Sequence, residues 1–524
     1  MKKIILLLSL MPLIGFAQQF QWLKTPAVSM PYNPEMIGYS TAVDNQGNAI
    51  VIGFKDTPFI YSSIMGNLSL DKYNADGELL FSKTITGHVQ PHNMVTDSNG
   101  NIYISLSYVN EISVDNIAIS TVEQGELWLF AKFSAEGNII WYRAFTPIDY
   151  GNNTYNEVAD FNAITIDSND NLYIGYSDFY KAFIEQISTE DGSVIKTIEQ
   201  EHTTRIAYLA TDNEGNIYAT GACADNEATF AGEVHGTEFQ YNLYLVKYNA
   251  SGTFQWVKYV QDVTCPEPHV IVTGTNEIYF ASFLWGETAF DDIIVPGSPY
   301  GMEDFFLAKL NSNGEYQWIK EVPAGGSFTL GNRNYLSKDE AGNVYISGRS
   351  RFDIDWGNGV TSTTGAFTYD ASILKYNADG VVQFAKTIPS FYSRFDGASI
   401  SNDGSIYLSG MALGPITADT FSYDPQQTEE YYPYFTKLSP DTTATVDKIQ
   451  DKGIYIYPNP ATDKVYFSGV TTDIKGDIIN VLGQNISSFS LSAGQPLDVS
   501  ALPPGNYFLK TDGLPTIKLI KTAN

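Results

Sequence analysis

Apolar and polar positions along this chain alternate in short runs, and clusters of Asp, Asn and Gly break them where a helix would continue its 3.6-residue period. One cluster recurs almost verbatim: Asp44-Asn-Gln-Gly-Asn48, Asp97-Ser-Asn-Gly-Asn101, Asp167-Ser-Asn-Asp-Asn171, Asp212-Asn-Glu-Gly-Asn216 and Asp339-Glu-Ala-Gly-Asn343. Looser copies lie at 273–277 and 402–405. Each phrase sits between two apolar runs, such as 163–166 and 172–175. Asn, Asp and Gly tolerate the positive φ of a tight hairpin, and the leading Asp can accept hydrogen bonds from the turn's own amides. The pattern therefore predicts strand, turn, strand. The second residue of each apolar run, usually Tyr, sets a register at Ile50, Tyr103, Tyr173, Tyr218, Tyr279, Tyr345 and Tyr407. Successive units are then 53, 70, 45, 61, 66 and 62 residues apart, which makes seven tandem units.

A second phrase follows in most units: Lys72-Tyr-Asn-Ala-Asp-Gly77, Lys132-Phe-Ser-Ala-Glu-Gly137, Lys247-Tyr-Asn-Ala-Ser-Gly252, Lys309-Leu-Asn-Ser-Asn-Gly314 and Lys375-Tyr-Asn-Ala-Asp-Gly380. Four residues beyond each Gly stands Phe81, Trp141, Trp256, Trp318 or Phe384, and a Lys or Arg comes two further on. The third unit departs, with Lys196 in the aromatic's place. This second hairpin gives four strands per unit. One such sheet cannot bury both faces alone, so the expected fold is all-β, a seven-bladed β-propeller over 18–441. The seventh unit lacks its fourth strand downstream. Phe20-Gln-Trp-Leu-Lys24 supplies it from the start of the mature chain, since it matches Phe254-Gln-Trp-Val-Lys258. Ring closure should then place Trp22 and Lys24 beside Phe435 and Lys437. An open solenoid would not need this transposed strand. The repeat resembles bacterial β-propeller repeat families of the form Asp-x-x-Gly-Asn-x-Tyr, then Lys-Tyr-x-x-x-Gly, then Trp-x-Lys; the resemblance covers about residues 20 to 441 and implies a fold but no ligand.

Both ends carry export features. Lys2 and Lys3 precede an apolar run that ends in Gly15-Phe16-Ala17, the composition of a signal peptide over 1–17. No later stretch is long and apolar enough for a membrane span, so none is expected in the mature chain. After a polar linker at 442–452, residues 453–524 read as a small antiparallel β-sandwich of short strands between Gly, Pro and Asn turns. Within it, Tyr457, Pro458, Asn459, Pro460, Gly483, Gly505, Tyr507, Lys518 and Lys521 fall in an order similar to the type A C-terminal sorting domain of the type IX secretion system of Bacteroidetes. The resemblance implies export across the outer membrane and contact with that secretion machinery. The product would be secreted or held on the outer cell surface.

Composition narrows the function. With 43% apolar residues, 35 Tyr and 30 Phe, the chain can build large cores and is not disordered. Lys+Arg 30 against Asp+Glu 59 gives a formal charge of -29, the wrong sign for a nucleic acid partner. The two cysteines, Cys223 and Cys265, lack zinc-ligand spacing; in an oxidising compartment they make one disulfide, and otherwise they are small core residues. No nucleotide-binding, metalloprotease or serine-hydrolase motif is present. The Asp-Asn-Gly turns lack the downstream bidentate Glu of a calcium loop, so no cofactor is assigned, with Ca²⁺ the one ion worth testing. Function is expected on the face carrying the long loops, where the sparse candidates are His92, His202 and His269 near the channel mouth and Asp353, Asp355 and Trp356 on a connection between strands. The expectation is a non-catalytic binding or adhesion scaffold for an extracellular glycan or protein. The alternative is a polysaccharide lyase or hydrolase working at the loop face.

Overall fold

The computed structural model describes residues 18–26, 39–60, 64–114, 117–119, 126–145, 148–149, 155–156, 158, 160–178, 180–261, 263, 267–274, 276–299, 302–364, 368–425, 430–440, 455–468, 473–480, 484–511 and 517–522. Residues 1–17 and the linker at 442–452 lie outside this set. The chain packs as two compact units, one spanning Phe16–Asp441 and the other including Thr442–Asn524. Among the described residues every regular element is a strand, and no helix is long and apolar enough to cross a membrane.

The larger unit is a β-propeller of antiparallel sheets. Asp160–Ile166, Leu172–Ser177, Lys181–Ile187 and Val194–Glu201 pair in sequence order, and so do Arg205–Thr211, Ile217–Ala222, Asn242–Tyr248 and Phe254–Gln261. The next sheet holds His269–Val272, Ile278–Leu284, Asp304–Leu310 and Tyr316–Lys320. In the sheet after that, two short pieces, Ser327–Leu330 and Leu336–Lys338, share the innermost place before Val344–Arg351, Asp370–Tyr376 and Val382–Ile388. The first two sequence units depart from separate blades: the 18-residue strand Leu79–Thr96 serves as the last strand of one and the first of the next, fusing them into a single nine-stranded sheet. The final sheet orders Phe20–Lys24, Tyr431–Leu438, Ile406–Leu413 and Tyr392–Ile400, and the first of these pairs antiparallel with the second, Trp22 against Lys437 and Lys24 against Phe435.

The recurring phrases act locally. Asp44 Oδ1 accepts hydrogen bonds from the amides of Gln46 and Asn48, both at 2.9 Å, while Oδ2 accepts from the Asn48 side chain. Asp97, Asp167 and Asp212 repeat the arrangement. Asp170 holds the left-handed turn position, φ 60°, that Gly47 holds elsewhere at 76°; a short polar side chain tolerates that region. The tyrosine second in the following run donates its buried hydroxyl back to the same Asp, at 3.0 Å from Tyr103 to Asp97 and from Tyr218 to Asp212.

The second phrase joins neighbouring units. The Trp141 indole and the Lys132 ammonium both donate to Thr189 O in the next unit, and Trp256 with Lys247 and Trp318 with Lys309 do the same to Ser312 O and Ala378 O. Lys196 makes the equivalent bond unaided, 2.6 Å to Ala250 O. At the ends of the chain, Trp22 and Lys437 donate to Ala75 O at 3.2 and 3.0 Å, and Tyr407 donates to Gly47 O. The turn glycines have two reasons to be glycine. Gly314 has φ 81°, and a Cβ there would stand 3.0 Å from the Trp256 ring; Gly380 meets Trp318 and Gly77 meets Trp22 in the same way.

In the smaller unit, Tyr455–Tyr457 pairs with Lys464–Ser468, and Ile474–Asn480, Asn485–Leu491, Gly505–Thr511 and Ile517–Lys521 form a four-stranded sheet. Val465, Leu509 and Leu519 are fully buried in its core. Asn459 donates to Lys518 O and accepts from the Ile520 amide, tying its segment to the last strand.

Candidate functional site

The innermost strands bring polar residues together at the propeller axis. His92 comes from the strand Leu79–Thr96 and His269 opens His269–Val272. With Asn162, Tyr208, Glu267 and the stretch 332–334 they line one cleft. His269 is stacked between Tyr335 and Tyr208, with ring centroids 3.8 and 4.2 Å away. His92 packs on Trp128 and hydrogen-bonds the Ser107 hydroxyl at 3.0 Å.

Residues 332–334 interrupt the first strand of their sheet and turn across the axis. Arg333 donates to Pro91 O at 3.0 Å, Asn334 donates to Thr41 O at 3.3 Å, and Tyr208 donates to the Asn334 side chain at 3.4 Å. The Arg333 amide reaches Asp396 O at 2.8 Å. One short stretch thus touches four other sequence units and works as an axial plug. The room left beside it is about 20 Å³, enough for a single water and far too little for a sugar ring.

The plug sets the electrostatics. Burial and the Arg333 charge hold His269 down at about 3 and His92 well below the ordinary imidazole value, so both rings are neutral. Burial, then repulsion from Glu267, pushes Asp160 up to about 7. Arg205 bridges the two acids, 3.0 Å from Glu267 and 3.9 Å from Asp160. Nearby, Arg394 and Asp396 form an ion pair of 2.7 Å that is almost wholly shut off from water. Asp396 is pushed up by burial, against the pull of Arg394.

The sequence candidates do not form one site. His92 and His269 meet at the cleft, but His202 stands on the surface at φ 57°, 3.0 Å from Asp225. Asp353 and Asp355 are exposed on a rim hairpin, where the Trp356 ring is buried and donates to the Ser362 hydroxyl at 2.9 Å. Among the described residues no group of three His, Cys, Asp or Glu side chains could hold a metal ion. Cys223 is disulfide-bonded, and Cys265 lies outside the described residues. Sequence reasoning passed over Arg333, Tyr208 and Glu267; the one available signal was the polar Gly331-Asn-Arg-Asn334 interrupting an apolar run.

In the tail, Tyr457, Pro458, Asn459 and Pro460 are all exposed, and Tyr457 stacks on the half-exposed Tyr466 with ring centroids 5.6 Å apart. Tyr507 is buried and donates to Pro503 O. Gly505 pairs with Lys521, Lys518 is exposed, and Gly483 lies outside the described residues. Residues 455–521 match the family model described as the secretion system C-terminal sorting domain. The tail is a type IX sorting domain. The sorting domain makes this a secreted or cell-surface-attached protein, whose tail interacts with the type IX machinery.

No curated protein matches the chain. Solved structures similar to it include virginiamycin B lyase from Staphylococcus aureus, at 11% identity over 80% of this chain and 98% of that one, with a TM-score of 0.37. The Dos1 propeller is 8% identical over 81% and 95%, at 0.37. PorZ, a surface component of the type IX secretion system of Porphyromonas gingivalis, is 10% identical over 92% and 70%, at 0.30.

Proposed function

We propose that this protein is a non-catalytic scaffold, led by a signal peptide over 1–17 and exported by its sorting domain, that presents a rigid seven-bladed propeller to an extracellular glycan or protein. The plug at 332–334 carries this reading. It fills the place where a propeller enzyme would admit substrate, and the two histidines there are neutral and stacked on aromatic rings rather than poised between protonation states. The joints between units support it as well, because Trp and Lys donors locked on neighbouring carbonyls hold the outer loops on a stiff frame. The test is a glycan and extracellular-protein array on the mature chain, with and without Ca²⁺, with bound polysaccharides then checked for cleavage. Binding without cleavage is expected. Cleavage that disappears in His269→Ala refutes the proposal and returns the lyase or hydrolase reading.

A further inference from the structure

Two of the junctions between sequence units share a device at their outer rims that the junction between the last unit and the first lacks. The fifth unit sends the hairpin Thr288–Phe290 and Ile293–Val295 outward, where Thr288–Phe290 packs against the last strand of the preceding unit. Asp291 there takes φ 51° and pairs with Lys258 of that strand at 2.7 Å. Behind it, Phe290 is fully buried, 4.8 Å from Phe306. The hairpin Ile416–Ala418 and Phe421–Tyr423 repeats the device, with Asp419 at φ 53° on Lys386 at 2.7 Å and Ile416 buried behind. These two junctions are thus closed by an apolar plug and a carboxylate on a lysine two residues past the joint aromatic.

Where the last unit meets the first, the corresponding lysine is Lys24, two past Trp22. Among the described residues of the first unit's own connection, none pairs with it. Phe59–Ile60 instead folds back and pairs with Ile64 and Met65 of its own sheet. What remains is a cavity of about 240 Å³ with Phe54 and Phe435 among its walls and Lys24 and Lys55 both lining it. Lys55 bonds the Thr84 hydroxyl at 2.6 Å, and Asp71, also in the wall, accepts from Ser69. Among the described residues Lys24 forms no ion pair; its ammonium lies 5.9 Å from the Trp22 ring centroid. Two lysines against one acid, Asp71, stand out in a chain of charge -29.

We propose that this cavity binds a small apolar carboxylate, an aryl or alkyl acid, and that the protein's own filled junctions are its template. The ligand carboxylate sits on Lys24 as Asp291 sits on Lys258. Its apolar body lies against Phe54 and Phe435 as Phe290 lies in the fifth unit. The size suits a ligand of about ten heavy atoms, below the usual drug-sized range. This site lies at the rim, uses none of the axial residues, and stands or falls independently of the scaffold reading.

The test uses the mature chain and 3-phenylpropanoate as probe, with 3-phenylpropan-1-ol as its uncharged counterpart, followed by calorimetry and saturation-transfer NMR. The acid is expected to bind at least tenfold tighter than the alcohol, and Lys24→Met to weaken it at least tenfold at an unchanged melting temperature. Lys320→Met, at the same position of another junction, should leave binding as it is. Lys55→Met, which leaves the ring-closing strand untouched, should weaken the acid severalfold and serves if Lys24→Met fails to fold. Equal affinity for acid and alcohol, no binding, or loss in Lys320→Met as large as in Lys24→Met overturns the proposal. So does an experimental structure in which residues 27–38, outside the described set, occupy the cavity.

Discussion

Replacing Trp22 by alanine probes the joint that the chain ends make with each other. The Trp22 side chain is 6% exposed, and its ring centroid lies 5.2 Å from that of Phe435, 6.1 Å from Tyr407 and 6.3 Å from Tyr73. Its indole N–H bonds Ala75 O, which Lys437 also holds, so truncation removes packing and one of two donors but leaves the carbonyl paired. A buried Trp→Ala change costs about 3–5 kcal/mol, and the surviving lysine bond argues for the lower half of that range. Over a unit of this size, with unfolding entropy of about 2.1 cal/mol/K per residue, 3 kcal/mol lowers the melting temperature by roughly 3–4 °C. Gln21→Ala on the same strand is the control: Gln21 is exposed, and such changes stay within about 0.5 kcal/mol. Urea unfolding followed by tryptophan fluorescence and circular dichroism reads both variants. If Trp22→Ala shifts the midpoint no more than Gln21→Ala, the N-terminal strand does not close the ring.

Gly314→Ala must accept φ 81° and press a Cβ against the Trp256 ring, whereas Gly47→Ala meets only the backbone penalty, with nothing within 4 Å; thermal melts should show the first costing about 2 kcal/mol and the second about 1. Asp396→Leu removes the carboxylate that pairs with the buried Arg394, and a loss of about 3–5 kcal/mol in denaturant unfolding is expected. His269, raised to its ordinary pKa on unfolding, gives the unfolded chain a proton that the fold refuses between about pH 3 and 6.5. Its contribution to stability is therefore present above pH 6.5 and lost as pH falls, whereas Asp160, pushed up to about 7, works the opposite way and loses stability as pH rises from about 4. Stability measured against pH should show wild type gaining on His269→Gln by roughly 3 kcal/mol between pH 4 and 6.5; a constant gap contradicts the assignment. Deleting 453–524 should keep the propeller folded inside the producing cell, and fractionation that still finds it outside would separate export from the sorting domain.

The parts of this molecule that could be read from sequence are those in which a side chain acts on its own neighbourhood. Asp44 satisfies amides two and four residues on, so its turn needs a fixed phrase, and the phrase repeats wherever the turn does. The Lys that opens the second turn phrase and the aromatic four residues past its Gly were also legible, although their shared reason, two donors on one carbonyl of the next unit, emerges only when the units are packed. Leu79–Thr96 shows the opposite case. Nothing local marks whether a strand stops between units, and the fusion of the first two sheets follows from pairing partners far along the chain. The axial cleft was the least legible part. His92, His202 and His269 look alike beside their strands, yet the folded chain places two at the axis and one at the surface. Arg333 acquires its role through Pro91, 242 residues away, a relation that no spacing within its own segment encodes.

A crystal structure of the mature chain tests the central claim most directly, by showing how many sheets surround the axis and which strand lies beside Phe435. The account predicts seven, with Trp22 over the Ala75 turn and Lys24 facing Phe435. Six or eight sheets, or a different strand in that place, would contradict it.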